Sequence, residues 1–193
     1  MPPPSHTEEP TTRTLRPSLH ALRAAGFAAG ALLVLVAVGV LLHQPLLIPP
    51  LAASAALVHG APGLPISQPR NLIGGQLLSA LIGFGVLALT GPSPWGAALA
   101  AGLALGVMLR LGLSHSPAAA TSVIVVLQAP PAVPFLALLL VGTVLLVAIG
   151  LLPGRIAGHP VRYPVLRGTY SRPKPEGINR TVDSGIVQTL VRD

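Results

Sequence analysis

Long apolar segments alternate with short polar or proline-rich segments through the middle of the chain. Each of the four longest apolar segments has 18 or 19 residues, which corresponds to about 28 Å of α-helix at 1.5 Å per residue. The hydrocarbon core of a bilayer is about 30 Å thick. The pattern therefore predicts four membrane-spanning helices, over residues 24–42, 72–90, 96–113 and 134–152.

Two further apolar segments, residues 50–58 and 117–125, are too short to span a bilayer, because each would form only about 14 Å of helix. They align at an offset of 67 residues, which places Ser54 over Thr121. Each follows one long segment and precedes another. We therefore expect an all-α polytopic transmembrane bundle of about four full spans plus two short re-entrant or broken helices, arranged as a duplicated unit of long, short and long helix.

Small residues recur at four-residue spacing in three of the long segments, a pattern that lets helix backbones approach closely. The three sets are Gly26 and Gly30; Gly75, Ser79 and Gly83; and Ala98, Gly102 and Gly106. Because glycine and alanine are abundant in this chain, some of these spacings are expected by chance.

The composition is that of a membrane protein. Of the 193 residues, 51% are hydrophobic and 9% are charged, and the mean hydropathy is +0.73. The only charged residues between positions 24 and 154 are Arg70 and Arg110, so this stretch has no carboxylate. Paired-carboxylate catalysis and acidic metal sites are therefore disfavoured, and the lack of cysteine excludes thiolate chemistry. We expect a protein that is not an enzyme and that binds no metal or cofactor.

The net charge of +7 is concentrated at the two ends of the chain. Ten of the 12 basic residues lie in residues 1–23 or 155–193. Because cations beside apolar spans mark the cytoplasmic side, we expect both termini in the cytoplasm and the protein in the plasma membrane. We assign residues 1–23 to a disordered cytoplasmic leader, 24–152 to the transmembrane domain and 153–193 to a basic cytoplasmic tail. Basic residues confined to tails do not form a nucleic-acid-binding face, so the expected partner is the lipid bilayer.

The course of the two short segments decides the topology. If they are re-entrant, the chain crosses four times, Arg70 lies outside and the repeats are parallel. If they run through, there are six crossings, Arg70 and Arg110 both lie inside, and the repeats are inverted. The charge rule mildly favours the second arrangement, whereas the segment lengths favour the first. We give more weight to length, because a binding site can hold the two arginines against the charge rule.

Arg70 is the first candidate for ligand binding. It lies in the block Ser67-Gln68-Pro69-Arg70-Asn71 at the mouth of the second span, and the apolar region offers it no carboxylate. A planar guanidinium, with Asn71 beside it, suits a small anion. The alternative is that Arg70 reaches lipid headgroup phosphates from a loop, and the sequence favours neither reading.

The starts of the two short helices add candidate donors. Each begins at a proline, Pro50 or Pro117, and a helix N terminus presents unpaired N–H groups and about half a positive charge. Two such ends near the membrane midplane would attract a small anion. The side chains that would assist are Ser54, His115, Ser116 and Thr121.

Each of these side chains also has an ordinary structural role. A single buried hydroxyl more often bonds back to a helix carbonyl. His115 could couple proton and anion movement, although a neutral, hydrogen-bonded histidine is the more common state.

Several short motifs follow one another in a characteristic order: Ile48-Pro49-Pro50, Ala53-Ser54-Ala55, Gly60-Ala61-Pro62, Gln68-Pro69-Arg70-Asn71, Gly74-Gly75 and Ser79-Ala80. With this order and spacing, residues 24–152 resemble the HPP family of integral membrane proteins, which is named after a His-Pro-Pro motif. The corresponding stretch begins His115-Ser116-Pro117 and departs from the family pattern at Ser116 and at Ala119. The resemblance implies a four-helix membrane domain and, for plastid and cyanobacterial relatives, a role in nitrite transport.

Together these features predict an integral membrane transporter or channel for a small monovalent anion, with nitrite as the best single candidate. A homo-oligomer is possible, because a bundle of only four spans often needs partners to enclose a pathway. The alternative is a non-transporting membrane scaffold or sensor whose basic tail binds lipid or a partner protein.

Overall fold

The computed structural model describes residues 19–46, 48–152 and 163–164, and every regular element within these ranges is helical. A single 3-10 turn, Pro65–Ser67, precedes the third α-helix. The α-helices are α1 Leu19–Leu41, α2 Pro49–Gly60, α3 Pro69–Thr90, α4 Pro94–Leu111, α5 Ser116–Gln128 and α6 Ala132–Gly150. The predicted all-α class, with two short helices among four long ones, is confirmed.

The four long helices, α1, α3, α4 and α6, have the length and hydropathy needed to cross a bilayer. Their bounds lie within a few residues of the predicted ones, except that α1 begins at Leu19, inside the segment assigned to the leader. Residues 1–18, 153–162 and 165–193 lie outside the described residues. The predicted disorder of the leader and the role of the basic tail therefore stay predictions.

Proline and glycine set the ends of these helices locally. At the start of α4, Pro94 has a fixed φ and needs no hydrogen-bond acceptor, and the Ser93 hydroxyl accepts a 3.0 Å hydrogen bond from the Gly96 N–H. The helix ends at Gly112, whose φ of 64° is a left-handed conformation that favours glycine. Such local signals explain why the sequence places these ends to within a turn.

One end of the bundle, which we call the proximal end, contains the start of α1, the end of α2, the start of α3 and the end of α6. Phe27 of α1 stacks on His59 at the end of α2, with ring centroids 6.1 Å apart. Leu72, in the first turn of α3, lies in one buried cluster with Val58 of α2. Gly150, the last residue of α6, also lies against Val58. The start of α1 and the end of α6 therefore lie on the same side of the bundle.

The opposite, distal end contains the end of α3 and the starts of α4 and α6. Phe84 of α3 contacts Phe135 of α6 edge to face, with centroids 5.9 Å apart. Val86 lies in one buried cluster with Ala97 in the first turns of α4. Each helix from α2 to α4 therefore runs in the opposite direction to the helix before it.

The two short helices continue this alternation. α5 runs parallel to α3, because Gly75 lies against His115 at the start of α5 and Gly83 lies against Val125 farther along it. Both short helices therefore run toward the opposite end of the bundle and do not return to the end from which they come. The structure has the six-helix arrangement with inverted repeats. The two short segments are therefore broken helices that run through the bundle. The preference for re-entrant segments, which rested on their length, is wrong.

Both short helices begin inside the bundle, which explains how so few residues suffice. His115, the N-cap residue of α5, is fully buried beside Gly75, nearly two turns into α3. Leu46 and Leu51, which flank the start of α2, both face Gly142 in the middle of α6. The non-helical backbone directly before the two helices is buried at Leu46 and His115, and protein-covered backbone of this kind is compatible with a bilayer.

Two glycine contacts related by the 67-residue offset support the duplication. Gly83 of α3 lies against Val125 of α5, and Gly150 of α6 lies against Val58 of α2. The 67-residue offset relates Gly83 to Gly150 and Val58 to Val125. Each short helix thus contacts the last helix of the other repeat, as expected for two halves related by an approximate two-fold axis in the membrane plane.

Only one of the three sets of small residues mediates close helix packing among the described residues. Gly75 and Gly83 of α3 both lie against α5 or the residue that caps it. At the other glycines of these sets, an added Cβ would have no heavy atom of another described segment within 4 Å: Gly26, Gly30, Gly102 and Gly106. Their spacing has no packing role within the described bundle.

We predict that Gly83→Ala destabilises the bundle, because the new methyl carbon would lie 2.9 Å from Ser122 Cα, a backbone atom that cannot move aside. Overpacking of this kind costs about 1–3 kcal/mol. Gly85→Ala is the matched control, since an added Cβ there has no heavy atom of another described segment within 4 Å. Melting temperatures in detergent, read as monodisperse protein recovered after heating, test the difference. Equal melting temperatures for the two variants would contradict the close α3–α5 contact.

Candidate functional site

Four polar side chains are completely buried where the two halves of the bundle meet. Ser54 comes from α2, Gln76 from α3, and His115 and Thr121 from the start and the second turn of α5, and each has a relative exposure of 0%. We call these four residues the polar cluster. Polar groups in a membrane interior are costly unless they are hydrogen-bonded, and they often mark function.

A continuous chain of hydrogen bonds links α5, α3 and α2 through the polar cluster. Thr121 Oγ1 donates to Gln76 Oε1, and Gln76 Nε2 donates to Ser54 Oγ at 3.1 Å. Ser54 Oγ in turn lies 2.8 Å from His115 Nε2 and 2.8 Å from the carbonyl oxygen of Pro50. Ser54 and Thr121, which the internal repeat aligns, thus bind the two ends of one amide.

His115 is held on three sides. Its Nε2 faces Ser54, and its Nδ1 lies 2.6 Å from the carbonyl oxygen of Ile66, in the 3-10 turn. On the third side is Gly75, where an added Cβ would lie 2.9 Å from His115 Cβ. The imidazole therefore has one nitrogen toward α2 and the other toward the 3-10 turn.

Side chains of the Gln-Pro-Arg-Asn block and its neighbours brace the segment that presents the Ile66 carbonyl. Ser67 Oγ donates to the carbonyl oxygen of Ala61 at 2.8 Å, and Gln68 Nε2 donates to that of Pro62 at 2.9 Å. Backbone carbonyls of the connection between α2 and the 3-10 turn are thereby paired although no regular helix supplies their partners. The 3-10 turn therefore forms a fixed surface that packs against His115.

Asn71 ties α3 to the connection before α5. Its Nδ2 donates to the carbonyl oxygens of Pro65, at 3.0 Å, and of Ser114, at 3.2 Å. Both amide hydrogens are thus used, and the remaining side-chain oxygen is an acceptor that would repel an anion. The prediction that Asn71 helps to position an anion is not tested by these contacts, which show only that both its amide hydrogens face backbone carbonyls. Asn71 positions the residue next to His115.

The other predicted residues at this end are separate from the polar cluster. Arg70 is exposed at the start of α3 and forms no ion pair with any described residue, and Ser116 is also exposed. Pro117 is partly buried in the first turn of α5. The structure therefore brings Ser54, His115 and Thr121 together and leaves Arg70 and Ser116 at the surface.

The start of α2 offers no free backbone donor in its first turn. Pro49 and Pro50 have no N–H, and the N–H groups of Leu51 and Ala52 both donate to the carbonyl oxygen of Ile48, at 3.0 and 3.2 Å. The prediction of unpaired N–H groups at Pro50 is therefore wrong, and only the helix dipole remains there. Pro50 contributes instead through its carbonyl, which faces the Ser54 hydroxyl.

Sequence reasoning misses Gln76, the centre of the polar cluster. Its signal is present, because it is the only amide side chain within the predicted span 72–90, and a polar residue inside a span is a functional candidate by default. Its partners Ser54 and Thr121 are 22 and 45 residues away. Only the tertiary structure shows that one amide joins them.

Two other buried polar residues lie at the proximal end. His59 stacks on Phe27, and neither of its ring nitrogens has a partner among the described residues. Tyr163 is buried in one cluster with Val58, and burial raises the pKa of its hydroxyl to about 12, so it remains protonated at neutral pH. Among the described residues, no group of three potential metal ligands occurs.

A cavity of about 340 Å³ opens at the distal end of the bundle, beside the start of α2. The connection before α2, the connection between α5 and α6, and the first turns of α6 form its walls. Among its lining residues are Gln44, Ile48, Leu51, Gln128 and Phe135. None of its lining residues belongs to the polar cluster, which is closed to the cavity in this conformation.

Comparison with known proteins agrees with the membrane architecture. A family model described as HPP, transmembrane region, matches residues 13–164. Two transmembrane proteins of Dictyostelium discoideum are 38% identical over 82 residues and 37% identical over 89 residues, or 40% and 44% of this chain. The matches span only 26% and 31% of the length of those two relatives. No solved structure matches.

We predict that Gln76→Leu destabilises the protein, because it leaves Ser54 and Thr121 without their shared partner in a dry interior. An unsatisfied buried group costs about 1–3 kcal/mol. Ser79→Ala is the matched control on the same helix, since the one hydrogen bond of the Ser79 hydroxyl among the described residues is to the Met108 sulfur, at 3.8 Å. Thermal unfolding in detergent should show a lower midpoint for Gln76→Leu than for Ser79→Ala. A Gln76→Leu protein as stable as the wild type would contradict the bridging role.

Proposed function

We propose that this chain, which belongs to the HPP transmembrane family, is a transporter or channel for a small monovalent anion, with nitrite as the first candidate substrate. The observation that supports the proposal is the polar cluster, a set of buried hydrogen-bonding groups held between two inverted halves with no carboxylate anywhere in the described residues. A cation site in a membrane interior is typically built from carboxylates or carbonyl oxygens. This interior instead offers hydroxyl, amide and imidazole groups.

The chemistry of the cluster suits an anion of single charge and small size. Ser54, Gln76, Thr121 and His115 carry hydrogens that can turn toward a ligand. No fixed positive charge lies among them, so a multiply charged anion would have nothing to balance it. A small planar oxyanion such as nitrite accepts several hydrogen bonds and brings only one charge.

Inverted repeats provide a way to reach a closed site from each side in turn. All four cluster residues are fully buried, and the cavity at the distal end approaches only the first turn of α2. In transporters with inverted repeats, one half moves against the other around a fixed central site. We assign the polar cluster to that central site and the distal cavity to one of its approaches.

Arg70 is assigned to the proximal approach. It is exposed and unpaired among the described residues, and the adjacent Asn71 is tied to Ser114, beside His115. A guanidinium at the mouth raises the local concentration of an anion. By the distribution of basic residues, we place the proximal end and both termini in the cytoplasm, with the protein in the plasma membrane.

We predict that purified protein in proteoliposomes takes up nitrite in a saturable manner, and that Arg70→Ala raises KM by about threefold to tenfold through loss of electrostatic attraction. Arg110→Ala is the matched control, because Arg110 is also exposed at the proximal end but lies on an outer surface lined only by residues of α4, among them Gly102 and Gly106. Its KM should equal that of the wild type. Uptake is measured at a pH that suppresses leakage of nitrous acid, against empty liposomes.

Flux no greater than in empty liposomes, from folded and inserted protein and for a panel of small anions, would contradict the proposal. The scaffold alternative is then tested by truncation after Pro164, which removes residues 165–193 and keeps the buried Tyr163. A transporter keeps its flux after this truncation. A scaffold that acts through the basic tail loses its binding to anionic lipid or to its partner.

A further inference from the structure

We infer that a proton is the second substrate of the polar cluster, bound at His115 Nε2 together with each anion. This inference rests on the proposed function, since it names what accompanies the anion at the same site. The observation that supports it is the number of hydrogens that the contacts around Ser54 and His115 require.

The Nδ1 side of His115 requires a hydrogen in every state. Its partner is the carbonyl oxygen of Ile66, at 2.6 Å, and a carbonyl oxygen can only accept a hydrogen bond. Nδ1 therefore carries a hydrogen. In a neutral imidazole this leaves Nε2 without one, as an acceptor that faces Ser54.

The Ser54 hydroxyl then has one hydrogen and two acceptors. Its oxygen lies 2.8 Å from His115 Nε2 and 2.8 Å from the Pro50 carbonyl oxygen, while Gln76 Nε2 donates to it from the third direction. With neutral His115, only one of the two 2.8 Å contacts can contain a hydrogen. These two contacts therefore require one more hydrogen than Ser54 and neutral His115 supply.

Protonation of His115 removes this shortage. Nε2–H donates to Ser54 Oγ, and the Ser54 hydrogen turns to the Pro50 carbonyl oxygen. Ser54 then accepts two hydrogen bonds and donates one, and both nitrogens of His115 donate. In the imidazolium form each of these contacts contains one hydrogen, with no movement of a heavy atom, and the second hydrogen of the Gln76 amide nitrogen is left for the anion.

The imidazolium needs a negative charge that the surrounding helices do not supply. Among the described residues, the groups in contact with His115 are Ser54 from α2, Gly75 from α3 and the Ile66 carbonyl from the turn, none of them charged or titratable. No Asp or Glu occurs among the described residues, and Arg70 and Arg110 are exposed. A buried cation without a counterion is strongly disfavoured. The bound anion supplies that charge, so the proton and the anion stabilise each other.

The resulting step is electrically neutral. A hydronium ion on one side transfers its proton to Nε2 and is left as water while one anion enters, and the Nε2–H bond forms as the Ser54 hydrogen turns to the Pro50 carbonyl oxygen. On the other side the Nε2–H bond breaks, the proton passes to water as hydronium, and the anion leaves. The net charge moved in each cycle is zero. Coupling between two ligands is reciprocal, so the affinity for the anion falls as the pH rises above the range in which His115 titrates.

The test measures proton uptake directly, with full-length protein in detergent and nitrite as the probe. Isothermal titration calorimetry at one pH near 7.5, in two buffers of different ionisation enthalpy, gives the number of protons taken up for each nitrite bound. We expect about one proton for the wild type, with a Kd that rises about tenfold per pH unit at higher pH. His115→Gln should bind nitrite without proton uptake and with a Kd independent of pH.

His59→Gln is the matched control, because His59 is a buried histidine outside the polar cluster, and it should take up protons like the wild type. If His115→Gln does not fold, Ser54→Ala replaces it, since that variant keeps His115 but removes the acceptor for Nε2–H, and proton uptake should fall. Nitrite binding by the wild type without proton uptake overturns the inference and leaves the proposed function intact. Failure of the folded wild type to bind nitrite or any other small anion overturns both.

Discussion

Hydrogen bonding through the Gln76 side chain is the interaction on which the meeting of the two halves depends. Its amide takes a hydrogen bond from Thr121 of one short helix and gives one to Ser54 of the other. In lipid no water is available to satisfy these groups, so each must find its partner within the protein. The requirement fixes the depth at which α2, α3 and α5 lie relative to one another. It also places the most polar point of the bundle where the repeats cross.

Close approach of the helices makes that meeting possible. Gly75 and Gly83 let α5 lie directly on α3. Gly142 and Gly150 are the equivalent positions of the other repeat, and on α6 they leave room for the side chains around α2. Because Leu46 and Leu51 fill the space beside Gly142, the chain enters the bundle before α2 begins. A short helix can therefore replace a full span, since the non-helical backbone before it covers the remaining depth and is buried in protein where the helix is about to begin, at Leu46 and His115.

The symmetry of the backbone is not matched by the chemistry. Ser54 and Thr121 are related by the 67-residue offset, but the position equivalent to His115 is Ile48, and that equivalent to Gln76 is Thr143. One half therefore supplies the titratable group and the other supplies its oxygen partner. This division gives a single central site in an arrangement built from two similar units.

The helices, their order and the repeat could be read from the chain alone, because apolar length, proline and glycine act over a few residues and a bilayer admits few solutions. Serine, histidine and threonine were recognisable as candidates for the same reason. Their assembly depends on contacts across 61 and 45 residues, which no local pattern encodes. The tertiary structure decided that Gln76 is central and that the N–H groups of Asn71 and of the start of α2 donate to backbone carbonyls. It also decided that the short helices run through the bundle. Each of these follows from where separate segments pack, since packing determines which partners a buried polar atom can reach.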